Sequence, residues 1–545
     1  MAMQTVKTPF TNMTFTPDVP SSALAANEYN VGQNIETDVR SVKSVLGDQY
    51  VLANVPGNQI FVTSGFRSNN VYWWIVATEQ GRWYAIDQAG NIVNITPSIG
   101  NFSGYNTSTV ITASWCGNVL FLNDMVNPPM FLLPGTNLLY LYDSAPYNYV
   151  WNYDVTNNSI YGNTVPLYSS LTAGFLRVYN SPNVGSLLVA GNLTGTVANN
   201  VISPTGGTIQ NLPTTIRWSQ NFGLNSGPTT WAPTITNVAN EVEIPVRGPA
   251  IDGFSLNGNF YICSYWDTVL MSPIAYQSSY APVFGIKIVS QGRGLINENC
   301  WAVVDSVAYG VDARDIWQFD GGTFTPIGDQ KVKNYFYNNL NSNYTNQIFM
   351  INNTAKYQIE IYYPDLTSTG YCNQMLAYRY DLQVWQPPRQ VSQATMATES
   401  PRYINGNINL ATRGVIYSTF NTNQYLIQKD YGNSFVGNTA ITSLFQRNNI
   451  SYGQPYSASV LVHRVLPEVY GSGNVTITIG GADSVANAVV YSANVTMPIQ
   501  TANPWAQINQ NESRVVTMQV GNTSNVTNWQ LSAANWQVTV VQDTR

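Results

Sequence analysis

Charged side chains are scarce in this 545-residue chain: only 10% of its residues are Asp, Glu, Lys or Arg, against about 25% in an average globular protein. The 23 basic and 29 acidic residues leave a formal net charge of −6 at pH 7, and no run of Lys or Arg occurs. Tight nucleic-acid binders carry a basic patch, because counterion release dominates their affinity. The composition therefore argues against a free-standing nucleic-acid binder, and any DNA that meets this protein is expected to pass without being held.

Histidine and cysteine are almost as rare, which limits metal and nucleophile chemistry. The single histidine, His463, lies in the alternating run 460–465 and cannot form a two-histidine metal site. We interpret it as a structural or interface residue, with a pH switch as the alternative. A Ser-His-Asp triad would need distant partners that the sequence does not identify. No paired spacing suggests zinc or redox chemistry among the cysteines, and we predict buried free thiols at Cys116, Cys263, Cys300 and Cys372.

Long apolar runs are also missing. The first fifteen residues contain no apolar core of the kind that a secretory signal needs, so we expect no signal peptide. No stretch approaches the roughly 18 apolar residues of a membrane span, so we expect none.

Helical periodicity is nearly absent, and the remaining pattern predicts an all-β protein. Only residues 34–46 show apolar residues at helical spacing, and a strand fits them equally well. Elsewhere short alternating or apolar runs are separated by Gly, Asn and Pro, which is typical of strands and turns. Many short strands indicate a sandwich, a barrel or a propeller.

A loose internal repeat favours the β-propeller. Three segments share an aromatic-apolar-Asp pattern that leads into a turn and another strand, and they end at Asp87, Asp320 and Asp381. We expect each strand to end at the Asp, whose carboxylate would accept hydrogen bonds from turn amides. Propeller blades are built from such hairpins at spacings of about 40–50 residues.

Changes in composition and in the spacing of β segments divide the chain into three parts. Residues 1–30 are polar with three prolines and are predicted to form an extended N-terminal arm, of a kind typical of interlocked oligomers, with a frayed terminus as the alternative. Residues 31–435 are predicted to form the propeller, with the number of blades left open. Residues 436–545 hold evenly spaced β segments and are predicted to form a C-terminal β-sandwich-like domain.

An ordered set of landmarks resembles the propeller-type tail nozzle or hub proteins of short-tailed bacteriophages. No single landmark is specific, and the resemblance depends on their order through residue 468. The chain departs from the family where Ile361 and Tyr362 replace a frequent Trp-Trp pair. The landmarks are Ile216–Ser219, Thr230–Pro233, Gly248–Ile251, Pro282–Gly285, Gly294–Asn299, Ile316–Gly321, Val332–Phe336, Glu360–Pro364, Tyr378–Tyr380 with Trp385, and Arg464–Glu468.

The resemblance implies a structural component of the virion tail, assembled in the host cytoplasm, and not an enzyme. Its expected partners are further copies in a ring, usually a hexamer, together with the tail adaptor protein and tail fibres or spikes. Genomic DNA would pass through the lumen without specific binding. A lumen poor in Lys and Arg suits this role, because each captured phosphate would slow ejection. Low charge and abundant Tyr also suit contacts between subunits.

Two groups of acidic residues are candidate sites. Asp305, Asp312, Asp315 and Asp320 form the densest carboxylate cluster, but their spacing does not fit an EF-hand, and Arg314 could pair with one of them. We interpret them as solvated turns and strand ends. Glu241 and Glu243 would share one strand face, which is weak support for glycoside cleavage. The sequence therefore assigns no catalytic, cofactor-binding or metal-binding residue.

Two alternatives from other classes stay open. A receptor- or glycan-binding tail protein would stack exposed Tyr and Trp on sugars, and a propeller glycosidase would need a pair of acids in a cleft. A spike or fibre would show a long repetitive shaft, which this sequence lacks, and the repeated Asp-box of sialidases is also absent.

Overall fold

A computed structural model gives the fold for most of the chain. It describes residues 3–52, 54–68, 71–152, 168–197, 208–234, 237–274, 283–404, 406–420, 424–450, 458–484, 487–499, 505–508, 512–522, 524 and 527–542.

Seven strands precede the first complete blade. Residues 34–46, the one helical candidate, form a hairpin of two strands, β5 (Ile35–Asp38) and β6 (Ser41–Ser44). Alternate residues of β5 are buried, as is typical of a strand. The strands are β1 (Met3–Pro9), β2 (Thr14–Phe15), β3 (Glu28–Tyr29), β4 (Val31–Gln33), β5 (Ile35–Asp38), β6 (Ser41–Ser44) and β7 (Asp48–Val51).

Strand β7 and the described residues between Gln59 and Lys429 form a β-propeller of seven four-stranded antiparallel blades. Blade 1 is β8 (Gln59–Ser68), β9 (Val71–Thr78), β10 (Trp83–Asp87) and β11 (Ile92–Asn94). Blade 2 is β12 (Thr112–Cys116), β13 (Val119–Asn123), β14 (Met130–Leu132) and β15 (Tyr140–Leu141). Blade 3 is β16 (Tyr168–Ser181), β17 (Gly185–Val197), β18 (Thr208–Trp218) and β19 (Asn240–Glu243). Blade 4 is β20 (Ala250–Leu256), β21 (Asn259–Ser264), β22 (Asp267–Pro273) and β23 (Phe284–Gln291). Blade 5 is β24 (Trp301–Val304), β25 (Val307–Val311), β26 (Ile316–Phe319) and β27 (Phe324–Pro326).

Blades 6 and 7 share one long strand. Blade 6 is β28 (Phe349–Asn353), β29 (Gln358–Tyr363), β30 (Cys372–Arg379) and the first half of β31 (Val384–Ile404). Blade 7 is the second half of β31, then β32 (Asn407–Thr419), β33 (Leu426–Lys429) and the N-terminal strand β7. Because β7 supplies the outer strand of the last blade, the N-terminal end of the propeller is joined to its C-terminal end.

The first strand of each blade lies towards the propeller axis. Strand β12 contacts β16, β16 contacts β20, β24 contacts β28, and β31 contacts β8. Among the described residues, the helical elements are α1 (Lys333–Asn339) and four 3₁₀ turns, at Ser21–Ala23, Ser342–Gln347, Thr354–Lys356 and Val436–Asn438.

The predicted repeat is confirmed as the hairpin of the third and fourth strands of a blade. The three segments lie on β10, β26 and β30, each the third strand of its blade. Carboxylate oxygens of Asp87 and Asp320 accept hydrogen bonds from turn amides at 2.8–2.9 Å, as expected. Asp381 differs, because its carboxylate pairs with Arg379 at 2.6 Å.

The C-terminal part forms two sheets with a shared core. One sheet has the order β41-β37-β44-β6-β5, with β1 paired to β44 and β42 to β37; the other has the order β39-β38-β43-β36-β4, with β40 paired to β38. Strands β34 and β35 form a separate hairpin. The strands are β34 (Ser434–Phe435), β35 (Thr439–Ala440), β36 (Ser443–Ile450), β37 (Ala458–Ser472), β38 (Asn474–Ala482), β39 (Val490–Tyr491), β40 (Val495–Pro498), β41 (Ala506–Gln507), β42 (Glu512–Ser513), β43 (Val515–Asn522) and β44 (Asn528–Gln542).

The N-terminal segment packs within its own chain, which differs from the predicted division. Residues 31–44, assigned to the propeller from sequence, pair instead with β36 and β44 of the C-terminal domain. The predicted arm, residues 1–30, contributes β1 to the same domain. The ring centroids of Phe10 and Phe445 lie 5.2 Å apart, and those of Phe15 and Tyr335 lie 5.5 Å apart. The segment therefore fills the space between the propeller and the C-terminal domain.

Candidate functional sites: the axis, the closure network and blade 3

A buried ion pair lies at the centre of the propeller, where the innermost strands converge. Arg177 on β16 donates to Asp252 on β20 through Nε at 2.8 Å and through Nη2 at 2.5 Å. Asp252 also accepts a hydrogen bond from the Trp301 indole at 2.8 Å, and Arg177 donates to the Ala113 carbonyl at 2.8 Å. Since these residues belong to four different blades, the pair ties blades 2, 3, 4 and 5 together.

Further hydrogen bonds cross the same central space. The Asn299 amide donates to the carbonyl of Ile111 at 3.0 Å. The amides of Asn346 and Gln347 donate to the carbonyl of Thr107 at 2.5 and 2.6 Å. The cavity left beside these groups has a volume of about 30 Å³, close to that of one water molecule. In the described part of the chain, these side chains therefore cross the middle of the propeller.

Glu298 is the titratable group next to this centre. The residue is 8% exposed. Burial, with a smaller contribution from the nearby Asp252 carboxylate, raises the pKa of Glu298 to about 7. Its carboxyl group is therefore protonated in mildly acidic solution and becomes charged near neutral pH.

Raising the pH from 5 to 8 is expected to lower the free energy of unfolding by about 2–3 kcal/mol through Glu298, since each pKa unit corresponds to about 1.36 kcal/mol. A carboxyl whose pKa is raised by folding contributes stability that is fully present below its unfolded value of about 4.3 and is lost as the pH rises through 7. Urea unfolding at pH 5, 6, 7 and 8 measures this. In Glu298→Gln the effect should disappear, so parallel curves for variant and wild type would contradict the assignment.

A second buried network surrounds the strand that closes the propeller. Arg389 on β31 pairs with Asp48 on β7 at 2.5 Å and with Asp430, which follows β33. Lys429 pairs with Glu360 on β29 and lies 3.5 Å from Asp430. The side chains of Lys429 and Glu360 are 0% exposed, and that of Arg389 is 1% exposed. The network thus links β7, the outer strand of blade 7, to blade 6.

Each charged group of this network has at least one partner of opposite charge. Lys356 lies 2.9 Å from Asp430 and also pairs with Glu36 of the N-terminal segment. Burial alone would raise the pKa of Asp430, but Lys356, Lys429 and Arg389 hold that pKa well below its ordinary value. Asp430 is therefore charged at neutral pH, and the stability it contributes is lost only in strong acid.

Blade 3 presents a long surface without charge. Its first three strands have 14, 13 and 11 residues, whereas the first strands of blades 2 and 4 have 5 and 7. At about 3.3 Å per residue, the longest spans about 45 Å. Residues 155–240 contain two charged residues, Arg177 and Arg217, and these are 7% and 0% exposed. Every exposed side chain on the described residues of β16, β17 and β18 is therefore neutral.

His463 lies on β37 of the C-terminal domain. Its Nε2 lies 2.7 Å from the hydroxyl of Thr539 on the adjacent strand β44. The ring is partly buried. This contact agrees with a structural histidine, and the interface and pH-switch roles stay predictions.

The acidic cluster has other partners than those expected. Asp312 and Asp315 are each 2% exposed rather than solvated. Arg293 pairs with Asp312 at 3.0 Å, and Lys333 lies 3.7 Å from Asp315. Arg314 lies instead over the Trp266 ring at 5.2 Å. All four lie in turns or at strand ends, as interpreted from the sequence, but only Asp305 and Asp320 are exposed.

The remaining candidates are also engaged in the fold. Glu241 pairs with the buried Arg217 at 3.0 Å, and Glu243 accepts a hydrogen bond from Thr214 at 3.1 Å. The four cysteines are buried and free, as predicted. Burial raises the pKa of the Cys263 thiol to about 12, which keeps it in the unreactive protonated form. Within the described residues, no group of three His, Cys, Asp or Glu side chains could hold a metal ion. The described helices include none long and apolar enough to cross a membrane.

Several sequence landmarks fall on buried polar residues that hold the blades. Arg217 of Ile216–Ser219 lies over the Trp151 ring at 4.9 Å. Asn299, which ends Gly294–Asn299, bridges the centre, and Glu360 of Glu360–Pro364 pairs with Lys429. These three landmark residues therefore contribute to the fold.

Sequence reasoning missed the buried ion pairs. A usable signal existed: in a chain with so little charge, Arg177 and Lys429 each stand within apolar strands, in Phe-Leu-Arg-Val and Leu-Ile-Gln-Lys. A lone charge in such a strand predicts a buried partner, because burying an unpaired ion is very costly. The partner itself could not be named.

Comparisons with known proteins add little to this picture. No protein-family model matches the chain, and no curated protein matches it. Among solved structures, it is similar to the computationally designed Ika8 protein, with 10% identity over 73% of this chain and 95% of that chain and a TM-score of 0.36. It is similar to BBS1N in complex with ARL6DN, soaked with mercury, with 10% identity over 72% of this chain and 96% of that chain and a TM-score of 0.34. Both TM-scores are below 0.5, so the propeller rests on the sheet topology alone.

Proposed function

We propose that this chain is a structural subunit of a ring in the tail of a short-tailed bacteriophage, a nozzle or hub through which the genome leaves the capsid. The neutral surface of blade 3 is the observation that carries the proposal. Its long strands expose hydroxyl, amide and apolar side chains, including Ile209 at 71% exposure. Burying such groups in a contact between copies costs much less than burying Lys or Glu.

The side chains at the centre of the propeller affect the path that DNA could take. The Arg177–Asp252 pair and the amides of Asn299, Asn346 and Gln347 occupy that space. DNA would therefore pass through a lumen enclosed by several copies and not through one propeller. Closed rings arise when two different patches of one subunit meet in successive copies, and blade 3 would supply one of these patches. The adaptor protein and the fibres or spikes would contact other faces of the ring.

Electron-microscopy class averages of the purified chain, and of isolated tails where they can be obtained, test this function. We expect a ring, sixfold by the resemblance, with a hole wide enough for a DNA duplex. Ile209→Lys should reduce the fraction of rings, because it places a charge in the neutral contact. Leu366→Lys changes a side chain that is 65% exposed on blade 6 and serves as the matched control. A monomer or a trimer without a central hole, at concentrations where tails assemble, would refute the proposal.

A further inference from the structure

A pocket of about 480 Å³ opens on the face of the propeller where the first strands begin. Loops of blades 1, 2, 6 and 7 meet there. Its lining includes the polar, acidic and aromatic side chains of Asn58, Glu79, Tyr105, Gln393, Tyr371 and Phe420. Its volume falls in the range of about 300–1,000 Å³ that is usual for small-ligand sites.

One wall of the pocket is an aromatic platform. The rings of Tyr371 and Phe420 are stacked, with centroids 4.5 Å apart and an angle of 25° between the planes. Both side chains are only partly buried although they are aromatic. Burial and the nearby Glu79 carboxylate raise the pKa of Tyr371 to about 12, so the phenol stays neutral and can donate a hydrogen bond. Because each ring covers one face of the other, a ligand can pack on an outer ring face or along the ring edges, beside the Tyr371 hydroxyl.

A carboxylate in a fixed position lines the same pocket. The Asn58 amide donates to Oε1 of Glu79 at 2.8 Å, and the backbone N–H of Glu79 donates to the carbonyl of Asn58 at 2.9 Å. Among the residues described by the structure, no donor reaches Oε2 of Glu79. That oxygen is therefore available to accept hydrogen bonds from a ligand.

The walls are held in place before any ligand arrives. The backbone N–H of Tyr105 donates to the Glu79 carbonyl at 2.7 Å, and the Tyr105 hydroxyl donates to Asp124 at 2.8 Å. The backbone N–H of Phe420 donates to the carbonyl of Gln393 at 3.1 Å. A preformed site loses little conformational entropy on binding, which favours affinity for a small ligand.

The combination of groups selects the class of ligand. No Lys, Arg or His is found among the described residues that line the pocket, so a phosphate or a carboxylate would meet Glu79 without a compensating cation. A purely apolar ligand would leave Glu79 and the lining amides unpaired. A sugar ring meets both demands, because its C–H face packs on aromatic rings and its hydroxyls donate to carboxylates and amides.

We propose that this pocket binds a neutral saccharide, which packs on Tyr371 and Phe420 and donates hydroxyl hydrogen bonds to Glu79. The site gives the chain a carbohydrate-binding activity in addition to its structural role. The pocket is complete within one chain, so binding does not depend on the ring.

An array of neutral and sialylated oligosaccharides tests the proposal on the purified full chain. Isothermal titration with the soluble form of the best-bound neutral oligosaccharide follows. We expect neutral oligosaccharides to bind in preference to sialylated ones. Tyr371→Ala and Glu79→Gln should each weaken binding about tenfold or more, the equivalent of one lost aromatic or charged hydrogen-bonding contact. Glu79→Gln keeps the oxygen that accepts from Asn58 and preserves the shape of the wall.

Tyr470→Ala is the matched control, because Tyr470 is 62% exposed on the C-terminal domain and distant in the fold from the pocket. Its saccharide affinity should equal that of the wild type. Circular dichroism melting of each variant separates a loss of binding from a loss of folding. The proposal is overturned if the wild type binds no neutral saccharide or prefers sialylated ones. It is also overturned if folded Tyr371→Ala and Glu79→Gln bind as the wild type does.

Discussion

Replacing Lys429 by Met is expected to lower the free energy of unfolding by about 3–5 kcal/mol, the usual cost of removing one partner of a buried ion pair. Met fills most of the space of the lysine stem but leaves Glu360 without its cation. Glu360 would keep its hydrogen bonds from Asn353 at 2.6 Å and Tyr362 at 2.8 Å. Neutral donors do not replace the lost charge, because the side chain of Glu360 is fully buried.

Chemical unfolding monitored by tryptophan fluorescence gives the measurement. Lys7→Met is the matched control, since Lys7 pairs with Glu468 at 2.6 Å with its side chain 57% exposed. Exposed pairs contribute less than about 1 kcal/mol. The double variant Lys429→Met/Glu360→Gln should recover part of the loss by removing the unpaired charge. A loss for Lys429→Met no larger than that for Lys7→Met would contradict the burial of this pair.

The position of the network explains why the effect should be large. Asp48 on β7 is joined to β33 by strand pairing and to β31 through Arg389. Since β7 and β33 lie nearly 400 residues apart in sequence, their pairing closes a very long loop, whose entropic cost must be offset by contacts at the junction. The hydroxyl of Tyr417 adds a hydrogen bond to Asp48 at 3.0 Å. Arg389 and Tyr417 therefore both hold Asp48, and with it the closing strand β7.

Local signals in the sequence were sufficient for the class of fold. Alternation with a period of two and frequent Gly and Asn predicted strands and turns, because both follow from backbone geometry over a few residues. The repeats ending at Asp87, Asp320 and Asp381 were confirmed as the same hairpin in three blades. The burial of the cysteines was also predictable.

Pairing between distant segments was not predictable from one sequence. Residues 31–44 have the same sequence pattern as propeller strands. Only their pairing with β36 and β44 places them in the C-terminal domain. The pairing of β7 with β33 in blade 7 likewise joins segments that are distant in sequence. For the candidate sites, the burial of Asp312 and Asp315 was not predictable, because Arg293 and Lys333, which pair with them, lie well outside the local turn. The aromatic pocket joins residues from 58 to 420, which no local pattern connects.

Asp252→Asn is expected to lower the free energy of unfolding by about 3–5 kcal/mol as well, for a related reason. Its carboxylate holds Arg177 through two hydrogen bonds and also accepts from the backbone N–H of Asn299 at 3.1 Å and from the indole of Trp301 at 2.8 Å. An amide cannot accept from all these donors, and Arg177 becomes an uncompensated buried charge.

The matched control is Asp320→Asn, which makes the same change in an exposed turn, where the amide oxygen can still accept from Gly322 and Thr323. Its unfolding midpoint should be close to that of the wild type. The double variant Arg177→Met/Asp252→Asn should be more stable than Asp252→Asn alone, because it removes the stranded cation. If the double variant instead lost as much free energy of unfolding as Asp252→Asn and Arg177→Met together, the two side chains would not be coupled. Arg177 and Asp252 would then stabilise the propeller independently, through their separate hydrogen bonds to the Ala113 carbonyl and the Trp301 indole.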